Sequence, residues 1–282
     1  MNKTIKILAA LLPLFITSCT NDDANVTTTP QQDQVVTLSA GITRGEGETG
    51  TTNTEPDPFS YNKIKVINVT RQEKGLPYSQ AVFTKNTSGT TATWTSDSPL
   101  LWCGGMENTF HAVYPATADY SSFTVPTDQS DATKLASADW MTCEISKDCP
   151  LSANTTPDDI SFLLKRKNAK VVISSLTLTH ASLTGLVFNT VDNLEITPYK
   201  NDDAYEAILP SGGKPGDVFV NLVITVNNSP ESRTLKIPES LTNGFEAGKK
   251  YTFAASYTYS GPMAPTRSAA PDNLTLVSVE PM

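Results

Sequence analysis

Apolar and polar residues alternate with a period of two along much of this chain. "VVTLSAGI" (35 to 42) puts Val36, Leu38, Ala40 and Ile42 on one face and Thr37, Ser39 and Gly41 on the other. That is the pattern of a half-buried strand. From Phe59 onward strand-like runs recur roughly every ten to fifteen residues, split by turn formers. They include "KIKVINVT" (63 to 70), "QAVFTK" (80 to 85), "TATWT" (91 to 95) and "TFHAVYPA" (109 to 116). In the last, Phe110, Ala112 and Tyr114 face one way, His111 and Val113 the other. A Pro-Asp-Asp break at 157 to 159 precedes "ISFLLKRKNAKVVISSLTLT" (160 to 179), "AYEAILP" (204 to 210) and "DVFVNLVITVN" (217 to 227). "SRTLKIP" (232 to 238) and "KKYTFAASYTY" (249 to 259) follow. No segment sustains helical periodicity over eleven residues. The pattern predicts an all-β chain, most simply two sandwiches of about 110 to 120 residues each. Their expected spans are 35–158, with 35–42 as the first strand, and 159–260.

The segments outside these spans read differently. "TRGEGETGTTNTEPDP" (43 to 58) has almost nothing to bury and is expected to be an exposed, mobile loop. Arg44 is its single basic residue, so Arg44–Gly45 is the bond a trypsin-like protease would meet first. At the other end, 261–282 is a Pro-rich linker followed by the apolar run "LTLVSV" (274 to 279). Leu274 and Leu276 share one face, Val277 and Val279 the other. Such a change of phase fits a bulge or two half-strands.

The N-terminus has Lys3 and Lys6 ahead of a short apolar stretch, Ile7 to Ile16. That is a secretory signal peptide in layout, and too short to span a bilayer. Ile16-Thr17-Ser18-Cys19 resembles a bacterial lipobox, which makes 1–18 the signal and Cys19 the lipidated first residue of the mature chain. An ordinary signal peptide with an incidental cysteine is the alternative. Two or three acyl chains, palmitate among them, anchor stably where one would not. Residues 19–34 then form a polar tether, and Asp22-Asp23 resembles a surface-export signal.

Charge and candidate chemistry narrow the function further. Acidic residues outnumber basic ones by 29 to 21, a net charge of −8, which disfavours nucleic acid as a partner. Beyond Cys19, three cysteines remain: Cys103, Cys143 and Cys149. One disulfide and one buried thiol are expected in an oxidising compartment. Cys143 with Cys149 is the local choice, and Cys103 with either stays open. His111 and His180 lack metal-type spacing, so no metal or cofactor is expected. Neither a nucleophile elbow, a P-loop nor a zinc-protease helix appears. The acid pairs Asp158-Asp159 and Asp202-Asp203 read as turn formers. Trp94, Trp102 and Trp140 belong either to the core or to a glycan-binding platform.

The sequence resembles the fimbrillin family, the type V pilins of Gram-negative anaerobes. "WCGGMENTFHAVYPA" (102 to 116), "ADWMTC" (138 to 143), "ISFLLKRKNAKVVISSL" (160 to 176) and "FEAGKKYTF" (245 to 253) carry the resemblance in order. It implies two tandem transthyretin-like Greek-key β-sandwich domains and a non-enzymatic, adhesive function. It also implies an outer-membrane lipoprotein precursor and an arginine-specific or trypsin-like protease that cuts after the first strand. The emptied groove, left by Val36, Leu38, Ala40 and Ile42, would then take a C-terminal strand of the next fimbrial subunit. Leu274, Leu276, Val277 and Val279 are the candidate donor residues. A tip or anchor subunit that keeps its tail at home, or a monomeric lipoprotein that binds glycans, is the alternative.

Overall fold

A computed structural model describes residues 34–42, 62–86, 93–150, 157–258 and 273–282. Among them the chain is nearly all β, arranged in three sheets. The first sheet is built from β1 (Leu38–Ile42), β2 (Lys63–Asn68), β3 (Gln80–Asn86), β4 (Thr93–Ser96), β5 (Glu107–Tyr114), β6 (Met141–Asp148) and β7 (Ile160–Arg166). Its strand order is β1-β7-β6-β5-β2-β3-β4. Strands β2 to β6 are antiparallel to their neighbours, whereas β1 lies parallel to β7. The β6–β7 seam holds only two residue pairs, Met141–Arg166 and Thr142–Lys165. Alternation works as the sequence predicts: Ile64 and Val66, Phe83, Phe110 and Ala112, and Ile160, Phe162 and Leu164 all enter one apolar cluster.

A second cluster lies between two further sheets. β8 (Asn168–Thr179), β9 (Ser182–Asn189), β10 (Glu195–Ile196), β11 (Tyr199–Asn201) and β12 (Ala204–Pro210) come first. β13 (Val218–Val226), β14 (Ser229–Lys236), β15 (Lys249–Thr258) and β16 (Asn273–Pro281) follow. The four-stranded sheet runs β10-β9-β13-β14 and the five-stranded one β11-β12-β8-β15-β16. Phe219, Phe245, Tyr251 and Phe253 fill the space between them, with Phe219 and Phe253 centroids 5.1 Å apart. Turns follow local chemistry. Asn227 and Asn228 both take positive φ (48° and 62°) in the two-residue loop between β13 and β14, as a type I′ hairpin requires. Asp202-Asp203 makes the equivalent loop between β11 and β12, with Asp202 at φ 51°.

Two short helices join the strands: α1 (Val69–Glu73), N-capped by the Asn68 side chain, and α2 (Ala132–Ser137), N-capped by Asp131. Each is too short to show a 3.6-residue period. One expectation needs correction: the run 160–179 is not one strand of the second half. Even-numbered residues point inward from Ile160 to Arg166, and odd-numbered Ala169, Val171 and Ile173 are buried in the other cluster. The chain changes phase at Lys167–Asn168 and passes from one core to the other there. Arg166 Nε donates to Asp139 Oδ2 at 2.7 Å at this crossing, both side chains being buried. The loop between β5 and β6 crosses too, carrying Val125, Leu135 and Ala138 into the second cluster.

Candidate functional site

The segment 34–42 is held along two different rims. Its beginning runs antiparallel to residues 100–102: Val36 N donates to Leu100 O at 2.8 Å, and Trp102 N to Gln34 O at 3.0 Å. Its remainder runs parallel to β7, from Leu38 opposite Ile160 to Ile42 opposite Leu164, and Ile160 N donates to Thr37 O at 2.9 Å. The Thr37 hydroxyl donates to Asp159. Val36 is 2% exposed and Leu38 9%, and Ala40 packs against the same cluster. The Ile42 side chain lies outside the described residues. Val35, on the opposite face, is 54% exposed. The segment therefore buries apolar residues in a core while its first part bonds to one rim and its second part to the other.

The 100–103 rim is fixed from behind. Asn68 Nδ2 donates to Leu101 O (3.0 Å) and to Asn108 Oδ1 (2.8 Å). Arg71 Nη1 donates to Trp102 O (2.8 Å) and its Nε to Pro77 O (2.9 Å). Asn108 clasps the backbone of Cys103, accepting from its N–H at 2.7 Å and donating to its carbonyl at 2.8 Å. All three side chains are buried, and a satisfied buried network of this kind rigidifies what it holds. Leu100 O and Trp102 N point the other way, towards residues 34–36. Sequence reasoning missed this network. Its signal was there: Asn68 continues the inward phase of Ile64 and Val66, and Asn108 precedes Phe110 and Ala112 in phase. A polar residue at an inward position needs partners.

The C-terminal segment is placed otherwise. β16 adds to the outer edge of the five-stranded sheet, antiparallel to β15, from Asn273 opposite Ser256 to Pro281 opposite Lys249. The register shifts between Leu276 and Ser278, so the phase change is a β-bulge at Val277. Leu274 and Leu276 pack against the second cluster. Val277 is 58% exposed and Val279 42%.

The cysteines correct another expectation. No disulfide joins Cys103, Cys143 and Cys149 in this structure, and Cys143 and Cys149 lie too far apart to pair. Cys143 lies inside β6 and Cys149 just beyond its end, six residues on and about 20 Å along an extended chain. A disulfide needs Cα atoms roughly 4.4–6.8 Å apart. Trp102 is 1% exposed, its ring edge-on to Phe110 at 4.9 Å, and so offers no face to a sugar. Trp140 stacks on Phe123. His111 Nε2 meets Glu144 Oε2 at 3.0 Å on the surface and stacks on Tyr120, while His180 takes φ 63° in a turn. Among the described residues no group of three or more His, Cys, Asp or Glu is placed to hold a metal ion. Cys19, Arg44 and Gly45 lie outside the described residues.

These features define a β-rich protein with two apolar clusters, one of them completed by the first described segment of the chain. The chain belongs to the fimbrillin-like family, whose model matches residues 49–268. Among solved structures it is similar to a candidate cell adhesion protein of Bacteroides uniformis. The identity is 15% and the TM-score 0.51, over 88% of this chain and 97% of that one. A candidate cell adhesion protein of Bacteroides ovatus is similar too, with 12% identity and TM-score 0.52 over 89% and 98%. At these identities the likeness is one of fold. Among curated proteins none matches.

Proposed function

We propose that this chain is a structural, non-catalytic fimbrial subunit that polymerises by strand exchange and serves cell adhesion at the cell surface. It is built of two tandem transthyretin-like domains and exported as a lipoprotein through Cys19 to the outer membrane. A trypsin-like or arginine-specific protease cuts after Arg44, the segment up to Ile42 leaves, and a β16 strand of the next subunit takes its place. The observation that carries this reading is the placement of residues 34–42, inserted into a core and bonded to two separate rims, with Arg44 the single basic residue of the sequence 43–58 that follows. A strand whose departure opens a groove with two unsatisfied rims invites another strand. Adhesion is the function attached by description to the two similar Bacteroides structures, which supports the same reading. Deleting residues 273–282 tests it. The truncated protein is expected to fold and be cut after Arg44, yet form no SDS-resistant ladder. Ladders formed by it would place the donor elsewhere. For export, Cys19→Ala is expected to abolish labelling with radioactive palmitate, and retained label would exclude that anchor.

A further inference from the structure

We propose that Cys103 and Cys149 form a disulfide that locks the fixed rim of the groove to the end of β6. The backbone brings Cys149 against the turn that Cys103 opens. Cys103 opens the turn Cys103-Gly104-Gly105-Met106, in which Gly105 has φ 72°, a conformation that favours glycine. Gly105 N donates to Cys149 O at 3.0 Å, and Cys149 N donates to Met106 O at 3.0 Å. Asn108 holds the Cys103 backbone from the other side of the same turn. Both residues are buried, at 5% and 4% exposure. Burial pushes the Cys149 thiol up, a Gly105 backbone contact opposes this, and the charge of Cys103 adds to the upward push. Cys143, half-buried in mid-β6 opposite Ala112, is left as the thiol.

The consequence is local to the groove. Cys103 directly follows Trp102, whose N–H is one of the rim groups bonded to residues 34–36. A bridge to Cys149 ties that rim to β6, so it stays in place when the first segment is absent. The bond forms by exchange with a disulfide-bonded oxidant, such as oxidised glutathione or an oxidised dithiol oxidoreductase. One protein thiolate attacks a donor sulfur, giving a mixed disulfide and one released thiol. The second protein thiolate then displaces the other donor thiol. The protein loses two electrons and two protons, and the donor disulfide is reduced to two thiols. A buried, raised thiol reacts slowly in the folded chain, so exchange proceeds during folding. The inference rests on the exported reading only for its oxidising compartment.

The test is refolding of the full chain from urea in a buffer of oxidised and reduced glutathione, followed by alkylation in denaturant and a non-reducing peptide map. The expected result is one linked pair of peptides containing Cys103 and Cys149, lighter by two hydrogens, with Cys143 alkylated. Reductant should lower Tm, and Cys103→Ser and Cys149→Ser should each lose that response while Cys143→Ser keeps it. Full alkylation of Cys103 and Cys149, or a link involving Cys143, would overturn the proposal. The map on the unmutated chain decides even if a variant fails to fold. Neither outcome depends on polymerisation, so strand exchange stands or falls separately.

Discussion

The two strands nearest the ends of the described chain, β1 and β16, are both edge strands, yet they do opposite things. Residues 34–42 put Val36 and Leu38 inside a core, and two rims close on them. β16 lays Leu274 and Leu276 half-buried along an already complete cluster and shows Val277 and Val279 to solvent. One strand is a filler and the other a cover. Taking away the filler leaves a core open, whereas taking away the cover exposes the edge of β15. The exchange proposed above uses that asymmetry, with the cluster filled by residues 34–42 as acceptor and the tail as donor.

Substitutions that treat the two strands alike should therefore give unlike results. A charge at Leu38 has no partner inside the cluster. Leu38→Asp is expected to cost on the order of 5 kcal/mol, and Val277→Asp, on the exposed side of the bulge, to stay within about 0.5 kcal/mol. Urea unfolding of the two variants checks this, and equal losses would erase the comparison. Next in size is the fixed rim. Asn108→Ala removes the partner of the Cys103 amide and of the Cys103 and Met106 carbonyls. About 3 kcal/mol is expected from stranding such groups, with amide exchange of residues 34–36 accelerating more than that of β16. Deletion of 273–282 ranks third, at about 1–3 kcal/mol for two half-buried leucines. Unfolding should remain cooperative. The smallest effect is that of pH on the tail. A Ser278 hydrogen bond and then Lys250 hold the Glu280 carboxyl below its ordinary range. A depressed carboxylate favours the docked strand above its free pKa and loses that contribution as pH falls through the docked one. Amides of 273–281, corrected for intrinsic exchange, should open slightly more at about pH 3.5 than at about pH 6, where Glu280 remains charged. Those of 34–42 serve as the reference.

Much of this was legible because strands announce their buried face. Val36 and Leu38, and the inward residues of β2, β5 and β7, lie where alternation puts them, and the broken phase of Leu274, Leu276, Val277 and Val279 marks the bulge itself. What could not be read is which core a strand enters. Ile160 to Ile173 looks like one long apolar strand, and only the switch from even to odd inward positions at Lys167–Asn168 reveals two. Pairing between distant segments is equally silent. Nothing local links Gln34 to Trp102 or Asn108 to Cys103, and the short loop between Cys143 and Cys149 suggested a disulfide that an extended β6 forbids.

The most direct measurement concerns whether the filler can be replaced by the cover. Folded protein cut by trypsin after Arg44 is mixed with a synthetic peptide of residues 273–282, and the complex is weighed by native mass spectrometry. The expected result is one-for-one exchange: the fragment ending at Arg44 leaves, the peptide takes its place, and uncut protein binds none. A fragment that stays bound with no peptide taken up, or a peptide that binds cut and uncut protein equally, would contradict the assignment of residues 34–42 as the replaceable strand.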